Sequence, residues 1–212
     1  RSLGITPEDA YFIRIPSSFP ESSRPIICKP EYLVNTSHAT WGDNKEEITR
    51  ILNEVLEKFK DTKGLIHAPS YKACNEIKGW LNNPRIKTHT PENFPRELEK
   101  FYKSSGNDNN GVFLSPTCYQ GVDFKQDRAR FQVILRVPYS NTSDEFMDYK
   151  VKNDFPWYNH QALVTFGQQV GRINRSEDDF GVTILMDERF LRFLSRNSNV
   201  LPKWLKDSIR YK

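Results

Sequence analysis

Cysteine is scarce in this chain of 212 residues, glycine and methionine are thinly spread, and no long apolar run occurs. Cys28, Cys74 and Cys118 are odd in number, far apart and never in a CxxC arrangement, which weighs against a disulfide scaffold or a Cys-rich zinc site. They read as reduced, partly buried thiols of an intracellular protein. His38, His67, His89 and His160 are scattered too, with no metal-ligand spacing. No stretch approaches the roughly 20 apolar residues of a membrane-spanning helix, so no membrane partner is expected. Only Gly106 and Gly111 stand five apart, and Val112 follows them where a Walker phosphate loop has Lys and Ser or Thr. A strong charge of either sign is missing as well. The net charge is +4, with nine Lys and Arg against six Asp and Glu over residues 161–212, which permits phosphate contacts without forming a basic tail. The chain opens Arg1-Ser-Leu-Gly with no Met and nothing like a signal peptide, and so reads as an excised piece of a longer protein.

What is present is enough for a packed core: hydrophobic residues make up 37% and charged residues 27%. Residues 1–43 read as an irregular entry segment, punctuated by prolines, with strand candidates at Tyr11–Ile15 and Pro25–Cys28. From residue 44 to 212 helix and strand alternate. The pattern predicts helices over Asn44–Asp61 (capped by Asp43), from Ser70 through Leu81, and over Pro95–Ser104, Pro156–Arg172, Glu188–Leu194 and Pro202–Tyr211. It predicts strands at Gly64–Ala68, Lys87–Thr90, Val112–Ser115, Gln132–Val137 and Gly181–Met186. Strands joined through helices of about ten residues or more imply right-handed crossovers, hence one α/β domain with a mainly parallel sheet flanked by helices.

Ligands of such sheets collect where loops leave the carboxyl ends of strands. Three loops carry suitable chemistry. In His67-Ala-Pro-Ser70-Tyr71-Lys72 a strand turns into a helix N-terminus, whose free N–H groups, with the Ser70 hydroxyl and Lys72, can hold a phosphate. The bland alternative is that Ser70 only caps and Tyr71 only packs. In Ser115–Phe124, Gly121 permits a positive φ, Asp123 offers a carboxylate, and Thr117 and Tyr119 offer hydroxyls or a stacking ring. In Gln168-Gln-Val-Gly-Arg-Ile-Asn-Arg175 two arginines three apart follow a glycine at a helix end, an arrangement suited to gripping phosphate oxygens. As plain surface ion pairs with Glu177, Asp178 or Asp179 they would contribute little.

Taken together, the three loops resemble the XPD/DinG family of superfamily 2 helicases. Gly64–Tyr71 resembles its motif IV, and Gly111–Phe124 with Val133–Tyr139 its motif V region. Gln168–Arg175, followed by Asp179-Phe-Gly181 and Met186-Asp-Glu-Arg-Phe190, resembles Q-x-x-G-R-x-x-R of motif VI and the strand after it. Leu201-Pro-Lys-Trp-Leu205 is similar as well. Two positions depart from the family: Gln120 stands where Glu is usual, and Ile173-Asn174 separates the arginines where Ala-Ile is common.

The resemblance implies a second RecA-like motor domain. ATP and Mg²⁺ would then be held mainly by an absent first motor domain of the same protein, and single-stranded or forked DNA would be the partner. It implies catalytic roles for Arg172 and Arg175 as arginine fingers and for Gln168 as an orienting group. Gly121, Asp123 and Gly171 would line the nucleotide side. Ser70, Tyr71, Lys72, Thr117 and Tyr119 would contact the strand, with 5′→3′ travel. An iron–sulfur cluster, as many relatives carry upstream, needs four Cys ligands that this chain does not supply. Asp187-Glu188 imitates a Walker B end but reads as structural. A non-catalytic nucleic-acid-binding or docking module on a degenerate helicase domain is the alternative. A free-standing nucleotide-binding enzyme lacks any Gly-rich loop after a strand.

Overall fold

The computed structural model describes residues 19–106, 109–124, 126–174 and 178–211, with Thr6, Glu8, Ala10, Tyr11, Ile13 and Ser17. Its strands are β1 (Ile26–Ile27), β2 (Gly64–His67), β3 (Ile86–Lys87), β4 (Val112–Ser115), β5 (Phe131–Ile134), β6 (Val182–Leu185) and β7 (Ile209–Arg210). Its helices are α1 (Lys45–Lys58), α2 (Tyr71–Leu81), α3 (Phe94–Lys103), α4 (Glu145–Asn153), α5 (Phe155–Val170), α6 (Arg189–Arg196) and α7 (Lys203–Ser208). The strands join one sheet in the order β3-β4-β2-β5-β6-β1-β7, and every pairing is parallel.

The central strands are buried end to end, as apolar runs covered on both faces must be. Alternation sends Ile66, Leu114, Val133 and Ile184 to one face, where the α1 stripe Ile48, Ile51, Leu52, Val55 and Leu56 meets Ala73, Cys74 and Ile77 of α2. Each Ile, Leu or Val among them contributes about 1.5–3 kcal/mol by leaving water. The opposite face carries two clusters. Leu65 and Phe113 pack with Phe101, Phe124 and Ile173, while Ile134 and Leu185 pack with Ala162 and Phe166 of α5 and Phe190 of α6. Gly64 is required by packing, because a Cβ there would lie 2.2 Å from the Phe131 ring, which stacks on Phe59.

Several expected boundaries move. Asp43 does not cap α1: Asn44 holds that place without a side-chain cap bond, its amide donating instead to Asn35 O. The strand expected at Lys87–Thr90 is Ile86–Lys87. The last helix stops at Ser208, because Ile209–Arg210 turn extended to pair with β1. α4 is an element that the pattern did not predict. Phe12, Arg14 and Ile15 of the first strand candidate lie outside the described residues, and Tyr11 and Ile13 are exposed. No helix among the described residues is long and apolar enough to cross a membrane.

Candidate functional site

The three loops meet around the carboxyl ends of β2 and β4 and the end of α5. Ser70 has extended backbone angles and its hydroxyl accepts from Ala73 N at 3.1 Å, so it caps α2. Its exposure leaves the cap open to solvent beside exposed Lys72, whose ammonium lies 3.9 Å from Glu76. Tyr71 is half-buried and meets the His89 ring edge-on, with centroids 5.4 Å apart.

His89 joins the first loop to the second. Thr90 O can only accept, so Nδ1 donates to it at 3.0 Å and Nε2 faces the Ser115 hydroxyl at 2.8 Å. That hydroxyl also accepts from Thr117 N at 3.1 Å, fixing the turn in which Thr117 is exposed and Tyr119 half-buried. Below them burial pushes the Cys118 thiol up to about 12, so it is a packing group and no nucleophile. Gly121 sits at φ +67°, where a side chain is strained.

Arg172 joins the second loop to the third. Its Nε donates to Gln168 O at 2.9 Å and its Nη1 to Val122 O at 2.6 Å. Its own carbonyl accepts from Phe124 N at 3.2 Å. Half-buried Asp123 is therefore bracketed by two bonds to Arg172. Gly171 is the C-cap of α5 with a negative φ of −75°, and an added Cβ would meet only Gly167 O, at 3.4 Å, and Gln168 O, at 3.7 Å, so the fold does not itself demand a glycine there. Arg175 and Glu177 lie outside the described residues. Asp179, buried, pairs with Arg130 at 2.8 Å and accepts from Gln126 N and Phe180 N, anchoring the chain that leaves this loop for β6.

Beneath the junction runs a buried polar row. Gln132 of β5 donates to Thr183 Oγ1 at 2.8 Å and to Val170 O at 3.2 Å. Since Val170 O only accepts, the amide oxygen faces His67, and His67 Nε2 donates to it at 3.0 Å. Burial is the main reason the His67 pKa falls to about 4, with the positive charge of Arg172 adding to it. His67 is thus neutral near pH 7. Its row ties the end of β2 to the end of α5, between the two apolar clusters of that face. Asp187, fully buried, receives Arg189 through both carboxylate oxygens and accepts from Val137 N and Arg189 N, which makes it structural, as read from the sequence.

Sequence reasoning therefore missed His89 and Gln132 as organisers of the site. Nothing in their local sequence marks them.

Residues 52–208 match the family model described as Helicase C-terminal domain. The Fanconi anemia group J protein homolog of Gallus gallus is 26% identical over 208 residues, covering 82% of this chain and 16% of that protein. The general transcription and DNA repair factor IIH helicase subunit XPD/RAD3 of Saccharomyces cerevisiae is 30% identical over 125 residues, covering 53% of this chain and 15% of that protein. The solved structure of S. tokodaii Xpd4 superposes with a TM-score of 0.66 at 16% identity, covering 98% of this chain and 42% of that one. The chain thus spans less than a fifth of the length of these two relatives. It belongs to the helicase C-terminal domain family, on the XPD/DinG branch of superfamily 2.

Proposed function

We propose that this domain is the second motor half of an ATP-dependent DNA helicase travelling 5′→3′. On this reading residues 44–212 are the motor unit, and residues 1–43 lead into it. The observation that carries the proposal is the double hold of Arg172 on the loop Val122–Phe124. A residue able to meet phosphate charge is thereby tied to a loop that runs back to Thr117, and through Ser115 and His89 to Tyr71.

ATP and Mg²⁺ bind mainly to the first motor domain. Arg172 and Arg175 reach across the cleft to charge developing on the γ-phosphate, Gln168 orients the nucleotide or the attacking water, and Gly121, Asp123 and Gly171 line the near side. Ser70, Tyr71, Lys72, Thr117 and Tyr119 contact phosphates and bases of single-stranded or forked DNA without reading sequence. Closure on ATP and opening after hydrolysis step one domain against the other. The isolated domain has no turnover of its own.

The test is Arg172→Ala in the full-length protein. Turnover should fall by about 10³-fold or more, with the KM for ATP changed only a few-fold. Because Arg172 also braces a loop, melting of the variant is followed in parallel. Unchanged turnover in a folded variant would overturn the finger role. A full-length parent that binds DNA but never hydrolyses ATP would favour the non-catalytic module.

A further inference from the structure

Arg136 follows β5 at the carboxyl end of the sheet, and both neighbours pin its backbone. Leu135 N donates to His67 O at 3.2 Å, and Val137 N to Asp187 Oδ2 at 3.1 Å. The side chain is half-buried over the Trp41 ring, 5.3 Å from its centroid. That indole is itself fixed: Nε1 donates to Glu76 Oε2 at 2.7 Å, and Trp80 packs 5.4 Å away. The guanidinium makes no hydrogen bond or ion pair with a described residue, and its Nε is buried without a partner. Two other half-buried arginines, Arg85 and Arg130, behave differently. Arg85 donates to four carbonyls, those of Leu56, Phe59, Thr62 and Asn110, and Arg130 donates to Asp127, Asp179 and Phe180 O. Asp187, whose negative charge acts on Arg136, is already committed to Arg189. Both burial and the Arg189 charge lower the Arg136 pKa. A rigid, partly desolvated cation with unused donors costs the fold free energy that an anion would return.

We propose that Arg136, laid on the Trp41 platform, is a phosphate-binding residue that extends the nucleic-acid track from the N-terminus of α2 across the end of β5. The inference rests on the motor-domain reading above. Its placement favours the strand over the nucleotide as the source of the phosphate. Trp41 packs with the α1 and α2 face, and Glu76 beneath it also pairs with Lys72, whereas Arg172 packs with α5 on the other face. The planar fork suits phosphate oxygens, and the exposed turn at Ser70 lies one strand away, since β2 and β5 are paired.

The experiment measures binding of fluorescent oligo-dT to the full-length protein by anisotropy over a range of salt, comparing Arg136→Gln and Arg136→Lys. Losing one phosphate contact to a single strand removes about 0.7 from the slope of log K against log salt, or about fivefold in affinity near 0.1 M salt. Arg136→Gln should show this loss and Arg136→Lys should keep the slope. Melting curves guard against misfolding, and Arg136→Met is a second neutral variant. An unchanged slope in a folded neutral variant of a protein that binds oligo-dT overturns the inference alone. So does an unchanged slope with a raised KM for ATP, which assigns the phosphate to the nucleotide. A parent protein that does not bind oligo-dT overturns the motor reading and this inference with it.

Discussion

His67 donates through Nε2 to Gln132, and burial holds its pKa at about 4 against an ordinary 6.5. Between those values the unfolded chain takes up a proton that the folded one refuses. The stabilisation is therefore complete above about pH 6.5 and is lost progressively as the pH falls towards 4. For a shift of this size the loss is on the order of 3 kcal/mol. Replacing His67 by Leu should flatten the decline in that window, as read from urea denaturation at pH 7 and pH 5. The same variant should be weaker at pH 7 by about 1–3 kcal/mol, because the buried oxygen of Gln132 loses its donor. An equal decline in both proteins would mean that His67 does not titrate as part of the fold. At this scale legibility follows sequence separation. The Ser70 cap and the positive φ of Gly121 were legible because they are local. His89 meets Ser115 across 26 residues and His67 meets Gln132 across 65, contacts that only strand register creates.

Among the elements, α2 is where stability and the proposed strand contact share one residue. The Ser70 hydroxyl satisfies Ala73 N, so Ser70→Ala should cost about 1 kcal/mol, while Ser70→Asn should keep the cap. Tyr71→Ala should instead loosen the contact with His89 and weaken oligo-dT binding with little change in salt slope, since no charge is removed. If Ser70→Ala weakens binding while Ser70→Asn restores melting but not affinity, the hydroxyl acts on the strand as well as on the helix. Full affinity in both Ser70 variants would leave it a cap and no more. α2 was legible because its apolar residues recur on one face. α4 was not: among its residues none is buried, and it is held by the Asp144 cap and by ion pairs such as Lys150–Asp154 and Lys152–Asp148. A helix without a core-facing stripe leaves no periodic signal.

In the whole molecule, strand order is what hydrophobic periodicity cannot supply. The parallel α/β class follows from alternating elements, but the insertion of β1 between β6 and β7 brings residues near the start of the chain against residues near its end. β7 was hidden at the end of an expected helix, because two residues cannot show a period. Yet Cys28 N donates to Arg210 O at 2.8 Å, and Ile209 packs against the cluster built from Ile26, Phe166 and Phe190. Truncation after Ser208 strips β1 of that partner and exposes Ile209's share of the core. The loss should be on the order of 2 kcal/mol, which for a domain of this size lowers Tm by about 4–8 °C. Calorimetry of the truncated and intact chains reads it directly. Identical melting would show that β6 alone holds β1. The predicted fall would show that the short terminal strand locks the entry segment into the sheet that carries the site.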